Sequence, residues 1–203
     1  MKPVIQRELD VLRTQIRTLE ARLTIVTNAQ LRTLRSIQET ALRDQFNVRN
    51  FGAFGDGVSD DGPAIHATMQ AAASASQGTG PQDYGGLVYL PRGTYYSSVP
   101  LVIPNGVGLV GAGPTATVIL PIPSFKSQSF IRNERQDGTQ EYAFIESLQV
   151  NGASGTGAVC SVAVVDLVSL FINSYVRDVI VLGGSNGGLR FAASNGMGPV
   201  YVE

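Results

Sequence analysis

Carboxylates are concentrated in one short segment of the chain, beside two glycines. Asp56, Asp60 and Asp61 lie close together, and Gly55 and Gly57 flank the first of them. Carboxylates at such spacing could hold a calcium ion or act as a general acid and a general base. The EF-hand pattern, in which ligands stand at alternate positions of a loop, is missing here. We therefore interpret these five residues as a structural cap, in which the glycines allow a tight loop with positive φ.

A helix is expected directly after this segment, over residues 63–75. Asp60 or Asp61 would cap its first turn, where a proline is also well tolerated. Ile65 and Met69 are expected on its buried face. Such a helix would lie across the open end of a β-domain and cover strand edges that would otherwise promote aggregation.

Histidine and cysteine, which often serve as base and nucleophile, occur once each, as His66 and Cys160. Any Ser-His or Cys-His pair would need His66, which lies on the expected helix, and we interpret it as structural or solvent-facing. Cys160 stands in an apolar stretch, which is typical of a buried small hydrophobic residue. A single cysteine also excludes a disulfide within the chain.

Six further acids lie between residues 130 and 180 of the chain. A glycosidase needs two carboxyl groups roughly 5 to 10 Å apart, but no motif pairs any two of these acids. Three of them lie in a polar stretch that is typical of a solvated loop. For these three and for Glu146 we expect solvent-facing roles, and we assign no catalytic, cofactor-binding or metal-binding residue. The six acids are Glu134, Asp137, Glu141, Glu146, Asp166 and Asp178.

A glycine pattern at residues 106–111 matches the dinucleotide-binding fingerprint letter by letter. That fingerprint requires a helix after its last glycine. Pro114 follows instead, and no helical pattern comes after it. We interpret the match as accidental and expect no cofactor.

Charge and hydropathy narrow the range of partners. The chain has 203 residues, of which 15% are charged, and its formal net charge is −1. Because there is no basic field, binding to nucleic acid or to an anionic membrane surface is not expected. No apolar run approaches the roughly 18 residues that cross a bilayer, and the N-terminus lacks the apolar core of a signal peptide. We therefore expect neither membrane insertion nor Sec-type export.

Residues 1–45 carry a heptad pattern. Between residues 5 and 26, seven apolar residues follow one another in alternating steps of four and three, the spacing of positions a and d in a coiled coil, and Glu8 and Arg13 would pair between neighbouring parallel helices. An amphipathic helix folded onto its own domain is the alternative, but its apolar stripe is usually wider. The mixture of Leu and Ile does not separate a dimer from a trimer. The seam consists of Ile5, Leu9, Leu12, Ile16, Leu19, Leu23 and Val26.

From Tyr84 onward, short apolar strands alternate with Gly, Pro, Asn and Ser. Two later segments, 144–152 and 175–183, share the order aromatic, aliphatic, charged, aliphatic, valine and glycine, and Glu146 and Arg177 occupy equivalent positions in them. Such a repeat indicates a solenoid, and a parallel β-helix is its β form. A β-sandwich is the competing fold. The first strands are expected at 87–90, 101–103, 107–110, 118–120 and 129–132.

The glycine-rich segment resembles the opening of a known superfamily. Its phrases are Phe51-Gly-Ala, Gly55-Asp-Gly, Ser59-Asp-Asp and Ala64-Ile, and the phrase Pro91-Arg-Gly-Thr-Tyr follows downstream. In this order, residues 47–120 resemble the pectate-lyase-like superfamily, which is found in bacteriophage tailspikes and tail fibres and in some glycoside hydrolases. The resemblance implies a mainly β fold, a right-handed parallel β-helix over 46–203.

Within that fold the resemblance implies an N-terminal cap at 46–83 and coils over 84–203, which would be incomplete at the C-terminal end. A long α-helical coiled coil over 1–45, trimeric as in tail fibres, would precede the β-helix.

The resemblance also implies a function. The chain would be a homotrimer in a phage virion or in a phage-derived extracellular tail-like particle. Residues 1–45 would attach it to tail or baseplate proteins, and the β-helix would recognise a polysaccharide of the host surface. Two alternatives stay open: a polysaccharide depolymerase, either a lyase or a glycoside hydrolase, and a structural baseplate component that binds no glycan.

Overall fold

The chain divides into two units, Met1–Leu42 and Arg43–Glu203. The computed structural model describes residues 46–75, 86–136, 142–153, 156–170, 174–184, 186–193 and 201–202, together with residues 10, 12, 13, 15–24, 27 and 30. The first unit contains the heptad pattern, and the second contains the glycine-rich motif and the internal repeat.

The described residues of the first unit are helical. An exposed ion pair of 3.6 Å joins Arg13 to Asp10 on this helix. Ile5, Leu9 and Val26 lie outside the described residues, so a coiled coil in this unit stays a prediction. No helix in the described part of the chain is long and apolar enough to cross a membrane. The four described seam residues have large exposed fractions, 54% for Leu12, 54% for Ile16, 63% for Leu19 and 68% for Leu23.

The second unit consists mainly of β-strands. A 3-10 helix, Val48–Phe51, comes first, and one α-helix, α1 (Gly62–Ser74), follows strand β1. The described strands are β1 (Asp56–Asp60), β2 (Leu87–Leu90), β3 (Gly93–Ser97), β4 (Leu101–Ile103), β5 (Gly108–Gly111), β6 (Thr117–Pro121), β7 (Lys126–Asn133), β8 (Phe144–Asn151), β9 (Val159–Leu170), β10 (Tyr175–Leu182), β11 (Leu189–Ala193) and β12 (Tyr201–Val202).

These strands form two sheets that are shared by successive coils of the chain. The first sheet has the order β1-β3-β6-β8-β10-β12, and β2 joins it through β5, which pairs with β8; the second has the order β4-β7-β9-β11. All of these strand pairs are parallel. Parallel crossovers are right-handed, so the fold is the right-handed parallel β-helix. The antiparallel β-sandwich is excluded.

The internal repeat stacks in register. Tyr175 pairs with Phe144, Arg177 with Glu146, and the pairing continues to Leu182 with Asn151. Residues that are equivalent in the repeat are therefore direct neighbours on adjacent coils, as a solenoid requires.

Two residues with positive φ bend adjacent coils at the same place. They are Ser147 in β8, with φ of 54°, and Asp178 in β10, with φ of 53°. Before the bend β8 pairs with β5, and after it β8 pairs with β6. The conformation is uncommon outside glycine. This bend allows the single strand β8 to pair with two separate strands of the preceding coil.

Helix α1 closes the core at the start of the β-helix. Ile65 and Met69 are fully buried, as their positions predict, and so are Thr68 and Ala72. The helix packs against the 3-10 helix and against β2, β3 and β4. It begins at Gly62, one residue earlier than predicted.

The fingerprint-like glycines at 106–111 are part of the β-helix. Gly108 and Gly111 lie in the buried strand β5, and a turn rather than a helix follows. A β-carbon on Gly108 would stand 2.1 Å from the Phe144 ring. Glycine is required there because an aromatic side chain of the next coil covers the backbone, and not because a phosphate approaches it.

Candidate functional site

Asp61 is a buried carboxylate that holds the loop before strand β1. It accepts hydrogen bonds from the backbone N–H of Phe54 at 2.6 Å and of Gly55 at 3.0 Å. Burial raises the pKa of Asp61, while the two hydrogen bonds act in the opposite direction. Asp61 stands at the N-cap position of α1, but its side chain makes no capping bond. Both of its oxygens are engaged within the protein.

Asp60 joins the start of α1 to the turn after β3. Its Oδ1 accepts from the backbone N–H of Gly62 at 3.1 Å and of Ser98 at 3.0 Å, and its Oδ2 accepts from the Ser98 hydroxyl at 2.5 Å. Burial raises the pKa of Asp60, but the hydrogen bonds from Ser98 and Gly62 together outweigh it, and the pKa lies below the ordinary value. Asp60, and not Asp61, therefore provides the capping side chain.

Asp56 organises the exposed first part of strand β1, where the pairing with β3 is irregular. Its carboxylate accepts from the backbone N–H of Val58 at 2.9 Å, and from the N–H and hydroxyl of Ser59 at 2.8 and 2.9 Å. The bond from the Ser59 N–H is the main reason that the pKa of Asp56 is lowered. Gly55 and Gly57 on either side have φ of 64° and 73°, which glycine adopts without strain.

The three aspartates thus have separate partners, and those partners are backbone and serine groups. Among the described residues no three His, Cys, Asp or Glu side chains come together as a possible metal site. His66 is exposed on α1. Cys160 is buried in β9, and burial raises the pKa of its thiol.

The acids of the coils differ in their surroundings. Asp137 and Glu141 lie outside the described residues. Glu134 accepts a long hydrogen bond of 3.4 Å from the backbone N–H of Asn105. Asp178 is exposed and accepts from the Ser147 hydroxyl of the neighbouring coil at 3.3 Å.

Glu146 belongs to a cluster on the outer side of the first sheet, which we call the Glu146 cluster; it consists of Phe144, Glu146, Tyr175 and Arg177. Glu146 accepts from the Arg177 guanidinium at 2.7 Å and from the Tyr175 hydroxyl at 3.0 Å. The Phe144 and Tyr175 rings are stacked with centroids 4.7 Å apart, and the Arg177 guanidinium carbon lies 5.2 Å from the centre of the Tyr175 ring. Repeat equivalence brings these side chains together.

Burial is the largest cause that raises the pKa of Tyr175, and the adjacent Glu146 carboxylate adds to it, so the pKa reaches about 12. Glu146 is 22% exposed and Arg177 50%. The cluster combines a carboxylate, a guanidinium and a protonated phenol at the protein surface. These groups can donate hydrogen bonds to the hydroxyl groups of a sugar and accept hydrogen bonds from them.

Asp166 lies in a second charged group, on the outer side of the second sheet. Arg190 binds it with two hydrogen bonds, from Nε to Oδ1 at 2.6 Å and from Nη2 to Oδ2 at 2.8 Å. The Ser129 hydroxyl donates to the same carboxylate at 3.3 Å. Only 5% of the Asp166 side chain is exposed. Asp166 is thus a covered acid, because β11 places Arg190 directly beside it in register.

Comparison with known proteins identifies the family. The model of the rhamnogalacturonase A/epimerase, pectate lyase-like family matches residues 45–164. The chain belongs to this family. The pectate-lyase-like resemblance of the sequence is thereby confirmed. The match ends inside strand β9, so it includes the cap and Glu146 but not Tyr175, Arg177 or Arg190.

Individual relatives are enzymes and viral proteins. Mannuronan C5-epimerase AlgE3 of Azotobacter vinelandii is 47% identical over 81 residues, which are 36% of this chain and 4% of the epimerase. The ORF18 protein of Geobacillus virus E2 has a TM-score of 0.55 and 27% identity, over 67% of this chain and 25% of that protein. Gene product 12 of bacteriophage phi29 shares the fold. Its TM-score is 0.52 and its identity 23%, over 76% of this chain and 21% of that protein.

This pectate lyase-like chain therefore spans a small part of the relatives that it matches. The shared family does not establish that this chain has the activities of those whole proteins. Its charged clusters and its heptad helix are the features from which a function has to be argued.

Proposed function

We propose that the chain is a homotrimeric component of a phage-type tail fibre or tailspike. Residues 1–45 associate as a coiled coil and attach to tail or baseplate proteins, and the β-helix presents its sides to a polysaccharide of the host surface. The protein belongs to the virion or to a phage-derived tail-like particle.

The exposed heptad seam carries this proposal. Leu12, Ile16, Leu19 and Leu23 follow the four-three spacing on a helix, and more than half of each is open to water in the single chain. Burial of a leucine or isoleucine side chain stabilises by about 1.5 to 3 kcal/mol. Parallel copies of the same helix would bury all four, since knobs at a and d fit the holes of an identical partner.

A trimer is proposed over a dimer because of the resemblance to phage tail fibres, since the heptad pattern does not separate the two. Three copies of the β-helix would allow multivalent binding to a repeating surface polymer. The likeness to a protein of Geobacillus virus E2 supports a viral setting.

Sedimentation of the full chain tests the proposal. Analytical ultracentrifugation at micromolar concentration is expected to give the mass of a trimer. Leu19→Asp, which places a charge in the seam, is expected to shift the chain toward monomer. Arg17→Asp introduces the same residue on the exposed side of the helix and is expected to leave the trimer intact. A monomeric wild type, or equal effects of the two variants, would contradict the trimeric fibre.

A second candidate is a polysaccharide lyase or glycoside hydrolase. The Glu146 cluster favours it, because a partly buried carboxylate, a phenol and a guanidinium meet on the outer side of a β-helix whose sequence is partly similar to that of a mannuronan epimerase. Incubation with purified capsule or lipopolysaccharide, followed by measurement of new reducing ends, separates the two. Turnover that Glu146→Gln abolishes favours the enzyme, whereas saturable binding without products favours the attachment protein.

A further inference from the structure

We infer that the outer side of the second sheet binds an anionic polysaccharide through Arg132, Asp166 and Arg190, which we call the arginine ladder. The inference rests on the proposed recognition of a surface glycan and specifies the charge of that glycan. It concerns a different sheet from the Glu146 cluster.

Strand register places the three residues in one row. Arg132 of β7 pairs with Asp166 of β9, and Asp166 pairs with Arg190 of β11. The residues just before them in β7 and β9, Ile131 and Val165, are fully buried in the core. Because adjacent residues of a strand point to opposite sides, the ladder lies on the outer side of the sheet.

The ladder has more positive than negative groups. Arg190 satisfies the Asp166 carboxylate, whereas Arg132 has no hydrogen bond or ion pair with any described residue. In the row, two arginines therefore flank one aspartate, whose carboxylate is itself buried. Lys126, exposed at the start of β7, adds a further positive charge to the same strand. The net charge of this row is positive although that of the whole chain is −1.

Asp166 also orients Arg190. It engages Nε and Nη2, so the N–H groups of Nη1 remain for a ligand, and the Arg190 side chain is 52% exposed. A guanidinium that is already held in place loses less conformational entropy when it binds. Arg132, which is unpaired within the described part of the chain, can turn toward the same ligand. Arginine binds carboxylate, sulfate or phosphate oxygens through paired N–H donors.

The spacing suits a polymer. Arg132 and Arg190 are separated by one strand, so their backbones stand about 9.6 Å apart along the axis of the β-helix. A charged chain that lies along this axis would meet both guanidinium groups in turn. A protein partner is a poorer fit, because protein interfaces centre on apolar or aromatic anchors, and the ladder has none.

Arg92 provides the matched control. Its side chain is exposed between β2 and β3, which belong to the first sheet, and it is part of neither the ladder nor the Glu146 cluster. Arg92→Gln therefore removes one guanidinium of equal charge from another sheet of the same molecule.

Isothermal titration of the full chain with dextran sulfate, polygalacturonate and uncharged dextran tests the inference. The wild type is expected to bind one or both polyanions, more weakly at about 200 mM salt than at about 50 mM, and not to bind dextran. Arg132→Gln should weaken that binding roughly tenfold and Arg132→Glu should abolish it, while Arg92→Gln should leave it unchanged. Folding should tolerate changes at Arg132 because no described residue pairs with its side chain. The two polyanions distinguish sulfate from carboxylate recognition.

Several results would overturn the inference. They are no binding to either polyanion at low salt, equal binding to dextran, equal affinity of wild type and Arg132→Gln, or equal losses in Arg132→Gln and Arg92→Gln. Capture of an acidic protein in place of a polysaccharide would also overturn it. If a host-surface polysaccharide binds with an affinity that does not depend on Arg132, the attachment function stands and only the ladder fails. A wild type that binds no host polysaccharide contradicts the attachment function itself.

Discussion

The ring of Tyr95 lies against the backbone of Gly55. A β-carbon on Gly55 would stand 2.7 Å from Cζ of Tyr95, and Gly55 has φ of 64°. The Tyr95 hydroxyl donates to the carbonyl of Pro91 at 2.8 Å, and a β-carbon on Gly93 would stand 2.6 Å from the carbonyl oxygen of Gly55. Two phrases of the family motif that are about forty residues apart in sequence thus form one interlocked unit, in which each glycine makes room for the other phrase.

Replacement of Gly55 by alanine is expected to destabilise the β-helix by at least about 2 kcal/mol, because strain at positive φ adds to the clash with Tyr95. Gly52→Ala is the matched control: Gly52 has φ of 98°, but nothing lies within 4 Å of its added β-carbon. Urea unfolding should show a clearly larger loss for Gly55→Ala. Similar losses of unfolding free energy in the two variants would mean that the backbone conformation alone explains why glycine is required at position 55.

Asp61→Ala is expected to cost roughly 2 to 4 kcal/mol, since it leaves the N–H groups of Phe54 and Gly55 without their acceptor in a buried place. Asp56→Ala, which changes the exposed first part of β1, should cost clearly less. Chemical denaturation of both variants measures the difference. If Asp56→Ala were the more harmful change, the buried aspartate would not be the one that holds the loop.

Asp60 and Asp61 should give opposite pH dependences of stability. The pKa of Asp60 is lowered, so its contribution is present above the unfolded value of about 3.9 and is lost as the pH falls through the folded value. The pKa of Asp61 is raised by burial, so the penalty of its buried charge is relieved as the pH falls through its folded value toward about 3.9.

Unfolding measured between about pH 3 and pH 7 checks both signs. Relative to Asp60→Asn, the wild type should lose stability on acidification. Relative to Asp61→Asn, it should gain stability. Reversal of either difference would contradict the assignment for that residue.

The structural features that the sequence predicts are those whose physical cause is local or periodic. The spacing of Ile65 and Met69 predicts the buried side of α1, and the match between 144–152 and 175–183 predicts that equivalent residues stack on adjacent coils. Strand β3, which contains Gly93 and two serines or threonines, is not predicted, because its pairing with β1 and β6 outweighs its local composition.

The surroundings of the charged residues could not be predicted in the same way. Asp166 looks like any surface acid in the sequence, and it is buried only because β11 returns one coil later with Arg190 beside it. The contacts within the Glu146 cluster could have been predicted from the repeat, since Phe144 and Tyr175 are equivalent in it, as are Glu146 and Arg177. The cross-coil neighbours follow once a solenoid is assumed.

Arg190→Ala is expected to destabilise the chain by about 1 to 3 kcal/mol, because it leaves the covered carboxylate of Asp166 without its charged partner. Arg177→Ala removes the exposed partner of Glu146 and should cost about 1 kcal/mol or less. Thermal or urea unfolding of the two variants makes the comparison. Equal losses would indicate that Asp166 is solvated in solution.

Tyr175 should titrate later than an ordinary tyrosine, since its pKa is about 12. Glu146→Gln removes the negative charge and the strongest hydrogen-bond acceptor beside the phenol, so the pKa should fall toward the ordinary value of about 10. Because the folded pKa exceeds the unfolded one, the stabilisation is complete below about pH 10 and is lost as the pH rises through about 12. Carbon-13 NMR of labelled tyrosine follows each phenol, and Tyr175→Phe assigns the late signal. A late signal that is unchanged in Glu146→Gln would mean that burial alone sets this pKa.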